Sequence, residues 1–466
     1  MKAIKAKNAF SELRLPARAS LWYSSASLLG RLAGLAFTPV FTRVLSEAEY
    51  GVLPLYLGWM SVASAFVTLE IGTGAIYGGF SRFSDRRQDF MKSALFTLMS
   101  VFLAFFLLFL PLLPRLTALT GLGTGLLLVM AAHIISDAIC SLYLTGERYR
   151  YSYRSVFFFN VITAVLTPLI SLILVRVMPY YARPVSAAVV SGAATAVILY
   201  KWKLYSGSVR WEMVRYTLTA CGALFPGALG AILLSNADKL LIGARLGTHA
   251  VAKYSVAHSL GLALTFFTVG LYGALKPWIM RKLASGNAEA VREATRKLLS
   301  VGAAATLMLC ALAPELISLL APDSYADALI AVYPLAAAVL PMFLYNVFAS
   351  VLIFEDRGWL TSLLGIGAAG LNIALNILLL PRLSFVAASF AFLISYTALA
   401  VFGALTVRGT GIYDSGVWRT LALTLVGIFL LCALNKLLPA RICVFSALIP
   451  IGLQAAGELL SAVREI

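Results

Sequence analysis

Charge is scarce in this 466-residue chain: Asp, Glu, Lys and Arg together make up 12% of it, about half the share of a soluble domain. So few charges cannot clothe a water-facing surface, which excludes a soluble globular fold. Acidic residues are the scarcer kind, 20 against 37 Lys and Arg. The five cysteines (Cys140, Cys221, Cys310, Cys432, Cys443) stand singly in apolar runs. No CxxC or Cys/His spacing accompanies them, which excludes a zinc or dithiol centre and leaves them as small packing residues. There is no nucleophile–base constellation, no metal motif and no Gly-rich phosphate loop. The chain is therefore expected not to be an enzyme and to need no cofactor. Without an ATPase, energy has to come from an ion gradient (Na⁺ or H⁺ coupling), the membrane potential or substrate supply. The outer loops are too short for the catalytic loop of a membrane-embedded glycosyltransferase or polymerase.

Apolar sequence is abundant. Hydrophobic residues are 61% of the chain and the mean hydropathy is +0.90. They come in runs that reach the roughly 20 residues needed to cross a bilayer as a helix. Hydrocarbon leaves no alternative to the helix here, because each unpaired backbone group there costs several kcal/mol. Reading apolar windows between charged or Pro/Gly breaks predicts fourteen spans. These are 20–43, 51–77, 92–113, 122–145, 154–177, 184–202, 216–236, 250–275, 298–321, 327–354, 359–380, 384–407, 418–438 and 441–461. The predicted fold is thus all-α and polytopic. The basic start (Lys2, Lys5, Lys7, Arg14, Arg18) has the look of a signal peptide. However, the run behind it is too long for one, contains Arg31 and shows no cleavage site.

The net charge of +17 is distributed as topology, with no stripe for nucleic acid. Placing the N-terminus in the cytoplasm puts about 26 of the Lys and Arg residues on that side and about 10 outside, the bias expected of cytoplasmic loops. The even span count then brings the C-terminus to the same side. An internal repeat accompanies this pattern. TRVLSEAEYGVLPLYLG from Thr42 and ARLGTHAVAKYSVAHSLG from Ala244 share a basic residue (Arg43, Arg245), a short polar loop and a tyrosine followed by a small residue. The basic loops DRRQDFMKSALF and VREATRKLLS, and the loops TGERYR and FEDRGW, recur at a similar offset. An offset of six helices preserves orientation and predicts two lobes related by an axis along the membrane normal. The predicted division is a basic tail 1–19, an N-lobe 20–205, a C-lobe 206–407 and two further helices in 408–466.

The segments RLAGLAFTPVFTRVLSEAEYG (Arg31–Gly51) and NADKLLIGARLGTHAVAKYSVA (Asn236–Ala257) resemble the signature of the polysaccharide transporter family. This is the family of O-antigen-type oligosaccharide flippases, in the superfamily that also holds lipid II flippases and multidrug (MATE) exporters. The resemblance implies two helical bundles forming a V, a central cavity and alternating access to the two membrane faces. It implies a substrate, a polyprenyl-(pyro)phosphate-linked oligosaccharide carried from the cytoplasmic to the outer leaflet of the inner membrane for O-antigen, exopolysaccharide or capsule. It also implies membrane lipid and polysaccharide polymerase or ligase machinery as partners. A lipid II flippase and a cation-coupled multidrug exporter are the alternatives within the superfamily. The exporter calls for an acidic, aromatic cavity, against which a central arginine argues.

Charges inside membrane helices mark function by default. Arg31 lies about 11 residues into the first span, hence roughly 17 Å deep, on a face with Ser24, Ser27, Gly34 and Thr38. Its guanidinium can hold a phosphate bidentately, or it can pair with Glu70 or Asp137. His133, Asp137 and Ser141 share a face of the fourth span. Asp137, Glu70 and His133 are the ion-coupling candidates, because burial makes such groups' charge states switchable; partnership of the carboxylates with Arg31 or Arg154 is the plainer alternative. The fifth span carries a polar stripe (Asn160, Thr163, Thr167, Ser171) just after Arg154. Span eight offers His258 beside Ser255, Ser259 and Thr265, and span eleven offers Asn372 and Asn376. These surfaces either meet sugar hydroxyls or join helices by hydrogen bonds worth about 1 kcal/mol. Arg43 and Arg245 either receive the anionic head at the outer mouth or anchor helices at the interface. The substrate-binding candidates are Arg31, Asn160, Arg154, His258, Arg43 and Arg245.

Overall fold

The computed structural model describes residues 22–433 apart from 23, 24, 27, 31, 151 and 202–206. Arg31 and the fourteenth predicted span lie outside the described residues. Helices are α1 (32–44), α2 (Glu47–Thr68), α3 (Ile71–Gly74), α4 (Ile76–Arg82), α5 (Arg87–Thr120), α6 (Thr124–Tyr149), α7 (Tyr153–Leu174) and α8 (Pro179–Lys201). They continue as α9 (Trp211–Gly261), α10 (Thr265–Ala284), α11 (Ala288–Leu320), α12 (Ala328–Phe354), α13 (Trp359–Leu383), α14 (Val386–Thr406) and α15 (Ser415–Ala433). No strand occurs among the described residues. Eleven of the described helical segments are long and apolar enough to cross a membrane. The protein is an all-α, polytopic membrane protein; predicted spans two and eight are each broken by non-helical residues, at 69–70 and 262–264, and α9 runs on through the gap between predicted spans seven and eight.

Two compact units divide between Ile232 and Leu233, inside α9. In the first, α6 is the hub, packed against α8, α5, α2, α3 and α7. Its core joins Phe80, Phe90, Leu98, Ile139, Leu142 and Met213. In the second unit the hub is α12, which packs on α14, α11, α10 and α15. α12 is apolar all round, as a helix buried on every side must be, and its run Leu335–Leu340 is at most 3% exposed.

The repeated segments have a local physical meaning. Ser46 caps α2: its hydroxyl accepts from Glu49 N, while the Glu49 carboxylate accepts from Ser46 N at 2.9 Å. That reciprocal cap lets α1 turn into α2 within two residues. At the corresponding place α9 bends at Gly247, whose φ of 81° and ψ of 178° suit only glycine. The helix after each turn then breaks. Leu69 and Glu70 take left-handed φ values of 46° and 55° after α2, and residues 262–264 leave helix before α10.

The α8–α9 connection is held down on α5. Asp89 accepts from Ser208 N at 2.7 Å and from Arg210 Nε at 2.8 Å. Arg210 N donates to Ser93 Oγ at 3.0 Å, and Lys92 Nζ donates to the Gly207 carbonyl.

Glycines in α4 permit close approach. A Cβ on Gly79 would overlap the ring of Phe90, which is fully buried and walled by Phe80, Phe83 and Tyr216. The Phe90 ring has no free space to enter. Gly79→Ala is expected to lose about 1–3 kcal/mol by overpacking, read as an earlier thermal unfolding transition in detergent. An unchanged transition would show that the ring can move after all.

Candidate functional site

The first unit contains a cavity of about 560 Å³ lined from α1, α2, α6, α7 and α8. A neighbouring chamber of about 330 Å³ shares Arg148, Asn160, Thr163, Thr167 and Ala187 with it. The predicted stripe of α7 forms the common wall. Its lining residues run from Val156 to Ser171, fifteen residues or roughly 22 Å of helix, against a hydrocarbon core of about 30 Å. The turns of α7 explain the polarity: Asn160, Thr163, Thr167 and Ser171 recur at steps of three and four and so share one face. Asn160 Nδ2 donates to Val156 O at 2.8 Å, and Thr163 Oγ1 donates to Phe159 O at 2.9 Å. Ser171 Oγ is buried with no hydrogen-bond partner among the described residues.

Two arginines face this cavity that the sequence analysis counted only as loop charges. Arg148, at the C-terminal end of α6, is exposed and lines both chambers. It makes no ion pair among the described residues. Arg183 enters from the first turns of α8. Its guanidinium lies 4.4 Å from the Phe41 ring centroid and 5.3 Å from that of Tyr50, and it hydrogen-bonds Tyr50. It too has no carboxylate partner among the described residues. The signal that could have found them is the helical position: Arg148 is the penultimate residue of α6 and Arg183 the fifth of α8, each beside a short connection to α7.

Among the described residues, Asp137 is the one acidic residue lining either chamber. The sequence suggests a buried group at Asp137; the structure exposes it to the smaller chamber. Neither Asp137 nor Arg154, which is exposed and does not line the cavity, forms an ion pair among the described residues. His133 lines the same chamber one turn from Asp137, and its Nδ1 lies 3.1 Å from the Tyr56 hydroxyl. Glu70 sits apart from both, at the left-handed break after α2. Gly30 and Gly34, which flank Arg31 in the chain, line the larger cavity.

The remaining candidates lie elsewhere. Arg43 is exposed and donates to Pro39 O in its own helix at 3.0 Å. Arg245 is exposed and donates to Ile377 O of α13 at 2.7 Å. His258 packs among aromatics, 5.7 Å from Tyr254 and 5.9 Å from Phe392 between ring centroids. Beside it the second unit buries Asp238, 1% exposed. Asp238 accepts from Tyr254 Oη at 2.7 Å and from Asn376 Nδ2 at 2.7 Å. The local Asp238–Lys239 ion pair that their adjacency suggests does not form; neutral donors from α9 and α13 serve the carboxylate instead. Among the described residues no group of His, Cys, Asp and Glu could hold a metal ion.

The larger cavity thus combines an apolar wall with one polar stripe and two arginines. No curated protein matches the sequence. Among solved structures, the inward closed conformation of the lipid II flippase MurJ superposes with a TM-score of 0.70 at 12% identity, covering 95% of this chain and 99% of that one. A variant of the Vibrio cholerae MATE transporter VcmN superposes with a TM-score of 0.56 at 14% identity, covering 86% and 98%. A multidrug-superfamily transporter from Pyrococcus furiosus, described as having a binding pocket of reversed polarity, gives 0.57 at 14%, covering 84% and 95%. These likenesses establish the fold. The family profile of the polysaccharide biosynthesis proteins matches residues 17–282, more than half of the chain, and the protein accordingly belongs to that family.

Proposed function

We propose that the protein is a flippase that moves a polyprenyl-(pyro)phosphate-linked oligosaccharide from the cytoplasmic to the outer leaflet of the inner membrane. The observation that carries this reading is the pair of arginines, Arg148 and Arg183, facing the cavity beside its polar stripe without carboxylate partners among the described residues. A guanidinium in a membrane interior is costly unless something balances it. An anionic head group supplies that balance through charge-assisted, bidentate hydrogen bonds, with Arg31 as a third cation. The hydroxyls and amide of the α7 stripe suit sugar hydroxyls, with Asn160 foremost. Alternating exposure of the cavity to the two faces completes transport, and Asp137, His133 and Glu70 are the groups through which H⁺ or Na⁺ couples to it. Both termini are cytoplasmic in this reading. The glycan serves surface polysaccharide (O-antigen, exopolysaccharide or capsule), handed on to polymerase or ligase machinery. The superposition on MurJ favours lipid II as the second reading.

Complementation distinguishes the readings. In cells lacking their own oligosaccharide-lipid flippase, the wild type is expected to restore surface polysaccharide. Arg31→Lys is expected to retain part of that activity and Arg31→Ala to lose most of it at equal expression. Rescue of cells lacking their lipid II flippase, without any polysaccharide phenotype, would move the protein to the second reading. Drug efflux alone would overturn both.

A further inference from the structure

The two cavity arginines stand at opposite ends of one stripe, and they are held differently. Arg148 precedes the α6–α7 turn and so lies at the Val156 end of α7. Arg183 follows the α7–α8 turn and so lies at the Ser171 end. Between those ends α7 rises roughly 22 Å. Arg148 is exposed and carries no ion pair or stacking partner among the described residues. Its long side chain is free to follow a ligand. Arg183 is fixed by the rings of Phe41 and Tyr50, and a guanidinium so stacked loses little further freedom on binding.

The neutral donors change along the stripe in the same sense. Near Arg148, Asn160 and Thr163 spend donors on the carbonyls of their own helix. Near Arg183, Ser171 is 1% exposed and its hydroxyl has no partner among the described residues. A buried donor without an acceptor carries a penalty of its own, which an arriving anion relieves. One end of the cavity is therefore a loosely held cation with its neighbours satisfied. The other is a preorganised cation beside an unmet donor.

From this asymmetry we infer that the cavity has two successive stations for one phosphate ester, captured at Arg148 and received at Arg183 and Ser171. The inference rests on the flippase reading and adds to it a division of labour between the arginines. Arg148 governs capture. Arg183 is a specificity and transfer residue, which contacts the head group only after it has moved along α7. The positive-inside bias makes the Arg148 end cytoplasmic, so the order of stations is the order of export.

The test uses the full-length protein and a fluorescent, sugar-capped short-chain polyprenyl diphosphate as probe. Equilibrium binding is measured in nanodiscs and translocation in proteoliposomes, by accessibility of the fluorophore to an impermeant quencher. Arg148→Gln is expected to weaken binding roughly tenfold or more, the worth of a charged hydrogen bond. Arg183→Gln is expected to hold affinity within about twofold and to slow translocation by roughly tenfold, and Ser171→Ala to slow it less. Arg183→Lys keeps the charge and loses the planar stacking, so it is expected to fall between Gln and wild type. It carries the test should Arg183→Gln fail to fold. If Arg183 variants weaken binding as much as Arg148→Gln does, or change neither quantity, the two-station arrangement is wrong. If the wild type neither binds nor moves the probe, the flippase reading fails first, and the two failures are thereby distinct.

Discussion

Replacing Asp238 with alanine is expected to destabilise the second unit by about 2–5 kcal/mol, whereas Asp238→Asn is expected to cost less than about 1 kcal/mol. The carboxylate is the common acceptor for the Tyr254 hydroxyl and the Asn376 amide, each at 2.7 Å. Tyr254 and Asn376 are both fully buried. Alanine therefore strands the Tyr254 hydroxyl, at about 1–3 kcal/mol, and removes a charge-assisted bond worth about 1.5–3 kcal/mol from the Asn376 amide, which keeps the Asn372 carbonyl at 2.9 Å. Membrane interiors moderate such penalties, because the chain finds substitute partners, which sets the lower bound. Asparagine can keep the network closed. Its amide oxygen has two lone pairs and can accept from both Tyr254 Oη and Asn376 Nδ2, while Asn376 Nδ2 keeps its bond to the Asn372 carbonyl at 2.9 Å. In detergent the alanine variant should unfold on the order of 10 °C earlier, with the asparagine variant near wild type. Equal loss in both would show that the charge itself, and not acceptor count, sustains the cluster.

The same cluster shows how far the sequence could be read. Asp238 and Lys239 are neighbours in the chain, an adjacency that by itself suggests a local pair. In a helix adjacent residues point about 100° apart and do not face each other, and the partners of Asp238 come from 16 and 138 residues away. Such distant pairings leave no periodic trace. The α7 stripe was legible for the opposite reason: its pattern is set within one helix, and spacing of three and four fixes a common face whatever surrounds it. The spans were legible because hydrocarbon imposes length and apolarity on every crossing. Span boundaries near Gly247 were not, since an apolar window gives no sign that one residue there leaves helical φ and ψ. Arg148 and Arg183 were lost among topological charges, because a cation at a helix end reads alike whether it meets head groups outside or a cavity within.

Asp137→Asn is expected to make capture of an anionic head group tighter and to abolish its dependence on pH. Asp137 and Arg148 line the same chamber and lie eleven residues apart on α6, roughly 16 Å along the axis. At an effective dielectric constant of about 20, a carboxylate at that distance opposes an anion held by Arg148 by about 1 kcal/mol. That is about fivefold in affinity. In the wild type the opposition is present while Asp137 is ionised and vanishes once it takes a proton or a Na⁺. Affinity for a sugar-capped polyprenyl diphosphate, whose own charge stays constant over the range, should therefore rise as pH falls. Asparagine fixes the neutral state, so the variant should show the higher affinity throughout and a flat profile. The sign links cation and substrate: each favours the other's binding, and binding free energies couple reciprocally. Titrating the probe against both proteins from neutral to acidic pH measures the coupling directly. If the wild-type and variant profiles coincide, Asp137 is too well screened by water in its chamber to act on the head group. Ion coupling must then be sought at Glu70 or His133.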